Sequence, residues 1–161
     1  MKKHNLLFFA LLFCSAFAVA QSKEKVQIAL LQQLNAILLN SKEYTWNDFM
    51  QEGASVKVVK PFTINNGILS MTLTYKVGDS TTIITMDAPV IKIKSVVYDY
   101  YLVLQFDDDE VTKEQFLPND SVVAETTMQN YFHIGTPVKD GRKEREKLEK
   151  LLEKLLKYYK E

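Results

Sequence analysis

The chain has 161 residues, 47% of them hydrophobic, and its 20 basic residues are balanced by 20 acidic ones. That length suits one domain with a real core, and the charge balance supplies no overall drive toward nucleic acid or anionic lipid. A single cysteine rules out a disulfide framework within the chain.

At the N-terminus, Lys2 and Lys3 precede an apolar run from Leu6 to Phe13 that is too short for a permanent membrane anchor. Ala18-Val19-Ala20 then places small residues where a signal peptidase needs them, and Gln21-Ser22-Lys23-Glu24 turns polar. The pattern predicts a signal peptide over 1–20 and a single α+β domain over 21–161, exported to the periplasm or secreted. A rival reading acylates Cys14 and anchors the protein; bulky Phe13 just before the cysteine argues against it. Without the leader the chain has no cysteine, 18 basic against 20 acidic residues, and His133 as its one histidine. No later apolar run reaches membrane-spanning length, so no transmembrane segment is expected in the mature chain.

From Ser22 to about Ser41, Val26, Leu30, Leu34, Ile37 and Leu38 recur at helical spacing, with Ile28, Leu31 and Leu39 widening the stripe. Asn40-Ser41 is the stop signal. Tyr44, Trp46 and Phe49 follow in a polar stretch ending at Gly53, read as a loop or single turn plugging the end of the core.

Between Ala54 and Phe106 the hydrophobic period changes to two, β-branched and aromatic residues rise, and turn signals come at short intervals. This predicts an antiparallel meander. Val56, Val58, Phe62 and Ile64 share one face of its first strand; Asn65-Asn66-Gly67 supplies the turn; Leu69, Met71, Leu73 and Tyr75 share a face of the second. After a turn at Gly78-Asp79-Ser80, the third strand runs from Thr81 to Met86 and Asp87-Ala88-Pro89 interrupts it, Pro89 making the beginning of the fourth an edge or a bend. Ile91, Ile93 and Val97 alternate with Lys92 and Lys94 in the fourth. Tyr100, Leu102, Leu104 and Phe106 share one face of the next, opposite Tyr101 and Val103. Asp107 to Glu110 marks a solvated turn, Val111 to Phe116 a further strand, and Val122 to Ile134 reads mostly as strand. The last helix, from about Arg142 to Tyr159, carries the stripe Leu148, Leu151, Leu152, Leu155, Leu156 and Tyr159, with Glu146/Lys150 and Glu153/Lys157 spaced for exposed pairs. Its length favours packing on the sheet over a coiled coil.

Few residues carry chemistry. No Gly-rich phosphate loop, nucleophile elbow, paired-histidine helix or EF-hand loop occurs, and no cofactor is expected. His133 is the one candidate for proton transfer, with Asp120, Glu125 and Asp140 as partners suggested only by nearness in sequence. Asp107 to Glu110, with Glu114, offers oxygens to calcium but lacks the alternate spacing and central glycine of a calcium loop. Val96 to Thr127 nets −7 and Lys139 to Glu161 nets +3, so the two segments either compensate one another or the basic helix meets anionic lipid. Interleaved glutamates weigh against the lipid. Tyr98, Tyr100 and Tyr101 concentrate aromatic surface on one hairpin, either as core packing or as an interaction surface.

A leader, an N-terminal helix, a run of antiparallel strands, the segment Phe132-His133-Ile134-Gly135-Thr136-Pro137 and the leucine-rich last helix together resemble small exported bacterial proteins of unknown function with a pleckstrin-homology-like core. The resemblance implies a partly open barrel of about six to seven strands capped by the last helix. The first helix departs from that pattern. Such barrels scaffold lipid, peptide and protein binding alike, so the resemblance sets no activity.

The expected function is a non-catalytic binding or interaction module of the bacterial cell envelope, engaging an envelope protein or a small apolar ligand. One alternative is a lipid or apolar-ligand carrier holding its cargo between sheet and helices. The other is a small hydrolase using Asp/Glu and His133, which requires those groups to converge in a pocket with shifted pKa values.

Overall fold

The computed structural model describes residues 23–41, 55–99, 101–117, 122–135 and 140–160. The expected signal peptide, the stretch holding Tyr44, Trp46 and Phe49, and also Tyr100, Asp120 and Thr136-Pro137 lie outside those residues. The fold is α+β. A helix over 23–40 (α1) precedes the strands β1 (Ser55–Asn65), β2 (Ile68–Val77), β3 (Ser80–Pro89), β4 (Ile93–Asp99), β5 (Tyr101–Phe106), β6 (Val111–Phe116), β7 (Val123–Gln129) and β8 (Tyr131–Gly135), and the helix α2 (Gly141–Lys160) follows. All pairings are antiparallel, in a five-stranded sheet ordered β1-β2-β3-β6-β7 and a three-stranded sheet ordered β4-β5-β8.

The two sheets are one meander folded over. β3 and β4 form a single bent strand, as do β5 with β6 and β7 with β8. Each pair of neighbours stays paired on both sides of the bend, β3·β6 continuing as β4·β5 and β6·β7 as β5·β8. The bends fall at the 3-10 turn Val90–Lys92, at Asp107 to Glu110, and at Asn130, whose carbonyl accepts from the Phe106 N–H at 2.9 Å. Lys92 pairs with Glu110 at 2.8 Å and Lys94 with Asp107, so two of the four acids in this run are paired by lysines around the start of β4. The eight described strands exceed the expected six or seven because the bends divide strands that sequence periodicity reads as continuous. Among the described residues the sheets do not close into a barrel.

The turns follow from residues that tolerate positive φ. Asn66 and Gly67 take φ of 50° and 79° in the two-residue loop joining β1 to β2, and Gly78 takes 56° between β2 and β3. Three details differ from the sequence reading. β3 continues through Asp87 and Ala88 to Pro89, because Asp87 accepts a bond from Ser70 across the ladder and Ala88 stays in register with Leu69. In β4, an irregularity between Ile93 and Ser95 moves the core face onto Val96, leaving Val97 at the surface. Ile91 likewise lies in the 3-10 turn and is exposed.

β1 is the edge strand that α1 covers. Its register slips twice, between Val58 and Lys60 and between Lys60 and Thr63, around Pro61. The slips leave the backbone of Phe62 without a ladder partner on β2, and Asn35 of α1 takes both groups: its Nδ2 donates to the Phe62 carbonyl at 3.0 Å and its Oδ1 accepts from the Phe62 N–H at 2.8 Å. Gln27 donates to the Ile64 carbonyl one step along. α1 and α2 lie antiparallel, Lys23 sitting 3.8 Å over the Tyr159 ring while Gln33 bonds Glu144 near the other end. On α1, Leu30, Leu34, Ile37 and Leu38 are buried, whereas Ile28 and Leu39 are exposed, so the apolar stripe is narrower than its sequence spacing predicts. The α2 stripe buries Leu148, Leu152 and Leu155 against β4 and β5. Its ion pairs are Arg145–Glu149 at 3.6 Å and Glu144–Lys147 at 2.8 Å in place of the pairs expected.

Two glycines permit close approach. A Cβ on Gly141 would overlap the Tyr98 ring, which lies on the backbone at the start of α2, and one on Gly135 would overlap Ser41 Oγ at the end of α1. Phe62 and Phe132, on the outer strands of the two sheets, face each other with ring centroids 5.7 Å apart. No helix among the described residues is long and apolar enough to cross a membrane.

Candidate functional site

The three-stranded sheet is a wall with two different faces. Leu102, Leu104, Phe132 and Ile134 point toward the helices and are buried. Strand alternation turns Tyr101, Tyr131 and His133 the other way. On the helix side the space is filled: about 10 Å³ remains among Leu30, Leu34, Ile64, Val90, Leu148 and their neighbours, about what one water needs. On the opposite side the folded sheet leaves a cleft of about 480 Å³. That volume falls in the range of small-molecule sites.

One wall of the cleft comes from the five-stranded sheet. Leu73 and Tyr75 extend the face that buries Leu69 and Met71 nearer the helices, and Ile84 and Met86 do the same on β3, with Val56 at the β1 edge. The cleft is therefore the unfilled continuation of the core face. Tyr101, Tyr131 and His133 form the opposing wall, and Lys113 and Gln129 add polar groups from β6 and β7.

His133 sits edge-on between two phenol rings, its centroid 5.7 Å from Tyr101 and 5.2 Å from Tyr131, both near perpendicular. The ring still reaches solvent at the cleft mouth. Its pKa is pushed below the ordinary histidine value, first by loss of water among these rings and then by the positive charge of Lys113. At neutral pH it is an uncharged imidazole. Among the described residues it makes no hydrogen bond. Of the suggested partners, Glu125 is bonded by Gln115 at 3.0 Å, and the Asp140 carbonyl caps α2 by accepting from the Glu144 N–H at 3.0 Å.

Of the three tyrosines singled out by sequence, Tyr101 lines the cleft and Tyr98 lies on the other face of the wall, against Gly141. The lining that sequence reasoning missed, Leu73, Tyr75, Ile84 and Met86, was legible as strand alternation but reads as core until the bend is known. Lys113 carried no signal beyond being the lone base in the acidic segment. No group of three or more His, Cys, Asp or Glu residues among the described residues is placed to hold a metal ion, the acidic bend included. Comparison with protein-family models, with curated proteins and with solved structures finds no match to this chain.

Proposed function

We propose that the protein is an exported, non-catalytic binding module of the cell envelope that takes a small, largely apolar ligand in the cleft between its two sheets. The observation that carries this reading is the cleft itself: an open space of about 480 Å³ walled by aliphatic residues on one side and tyrosines on the other. Such a face, left uncovered in water, gains free energy from any apolar body that fills it, roughly 25 cal/mol for each Å² of apolar surface removed from solvent. Tyrosines suit the rim because each presents an apolar ring with a polar tip. The cleft gives a carrier more support than the space between sheet and helices, where about 10 Å³ is open among Leu30, Leu34 and Leu148. A hydrolase reading has less support, since a general base acts through an oriented proton acceptor and no described carboxylate is bonded to His133.

The terminal helix on a folded antiparallel meander supports placing the fold near the pleckstrin-homology-like barrels, opened at the cleft and extended by α1. The leader-like sequence around Lys2, Lys3 and Ala18-Val19-Ala20 supports export.

Fluorescence titration with the neutral apolar probe N-phenyl-1-naphthylamine tests the binding reading. Saturable binding is expected, weakened by Tyr131→Ala at the cleft rim and unchanged by Leu39→Ser on the exposed side of α1. Absence of saturable binding, or equal loss in both variants, contradicts it.

A further inference from the structure

Resting on the cleft as the binding site, we infer that its ligand is a small amphipathic carboxylate whose anionic head pairs with Lys113 while its apolar body lies between Leu73, Ile84 and the tyrosine wall. The cleft is charged on one side only. Lys113 is the one lining residue with a fixed charge, and no carboxylate lines the space among the described residues. Its partners directly across the ladder are Met86 on β3 and Thr127 on β7, neither of which neutralises an ammonium. Glu125, one pair further along the same face, is held by Gln115 instead. Elsewhere the protein pairs lysines readily, as Lys92 and Lys94 at the bends show. The Lys113 charge also crosses the cleft, because it contributes to lowering the His133 pKa from the facing wall.

A half-buried lysine with no carboxylate bonded to it, lining an otherwise apolar recess, discriminates between ligands of equal shape. A neutral body gains only from burial, while an anion also gains a charge-assisted bond in a medium less screening than water. Tyr101 and Tyr131 beside the recess supply faces for the apolar part, and His133 adds a third ring between them.

The test uses two probes that share one body: 8-anilinonaphthalene-1-sulfonate, which is anionic, and N-phenyl-1-naphthylamine, which is neutral. Lys113→Gln is expected to weaken the sulfonate about tenfold, equivalent to ~1.4 kcal/mol, and to leave the neutral probe unchanged. Thr127→Glu, on the solvated edge strand, places a carboxylate across from Lys113 without removing it and is expected to produce the same selective loss. Lys113→Arg should retain the sulfonate, and dodecanoate should displace it more effectively than dodecanol does. If Lys113→Gln and Thr127→Glu shift both probes equally or neither, the anionic ligand is overturned and the apolar cleft stands. If the unsubstituted protein binds neither probe, the cleft reading itself fails.

Discussion

The side-chain amide of Asn35 bonds the backbone of Phe62 at both its N–H and its carbonyl, so one residue of α1 completes a stretch of edge strand that β2 leaves unpaired. The geometry copies a strand neighbour. It blunts the β1 edge where Pro61 and two register slips disturb the ladder, a position otherwise open to pairing with another chain.

Asn35→Ala should therefore cost about 1–3 kcal/mol, because two partly buried backbone groups lose their partners. Asn35→Asp should cost at least as much, since a carboxylate cannot donate to the Phe62 carbonyl. Urea unfolding checks both, and a loss below about 0.5 kcal/mol in Asn35→Ala would show that water replaces the amide without penalty.

Gly141 and Tyr98 should be coupled. Gly141→Ala drives a methyl into the Tyr98 ring and should cost about 1–3 kcal/mol through overpacking. In a Tyr98→Ala background the same change should be neutral or stabilising, because alanine is the better helix former. A double-mutant cycle by thermal unfolding reads the coupling, and additive effects would mean the ring moves aside freely.

His133 should make stability depend on pH in one direction. Its folded pKa lies below the ordinary value, so the unfolded chain takes up the proton first as pH falls. The contribution of the neutral ring is full above about pH 6.5, the unfolded value, and is lost as pH falls from there through the folded pKa. Lys113, Tyr101 and Tyr131 face the ring, and no described carboxylate in the cleft offsets the effect. Between roughly pH 7.5 and 5.5, a window that spans this titration, the melting temperature of the unsubstituted protein should fall further than that of His133→Gln. Equal falls would place His133 in an ordinary aqueous setting.

Local chemistry made much of this fold readable before the structure. Asn66 and Gly67 announce their turn because positive φ selects those residue types, and the α2 leucines announce a buried face because their period is helical. The bends were readable only in part. Pro89 announces an edge or a bend and Asp107 to Glu110 a turn, and two of the breaks fall there. Yet β3 runs through Asp87 and Ala88 to Pro89 before it breaks, and the irregularity past Ile93 moves burial from Val97 to Val96. Such choices depend on where the second sheet folds, which no short window records. The cleft was hidden for the same reason. Its walls combine Val56 and Leu73 with Tyr101 and His133, and the bends at Val90–Lys92, Asp107 to Glu110 and Asn130 together bring them face to face. Sequence offered nearby acids as candidate partners of His133, whereas Lys113 and two tyrosines are what surround it.

The most direct test of the account is a methyl NMR titration with N-phenyl-1-naphthylamine, following leucine, isoleucine and methionine signals. The account predicts shifts concentrated at Leu73, Ile84 and Met86, with Leu34, Leu148 and Leu152 on the helix side unmoved. Shifts centred on the helix-side leucines, or spread over exposed Ile28 and Leu39, would contradict a binding site between the two sheets.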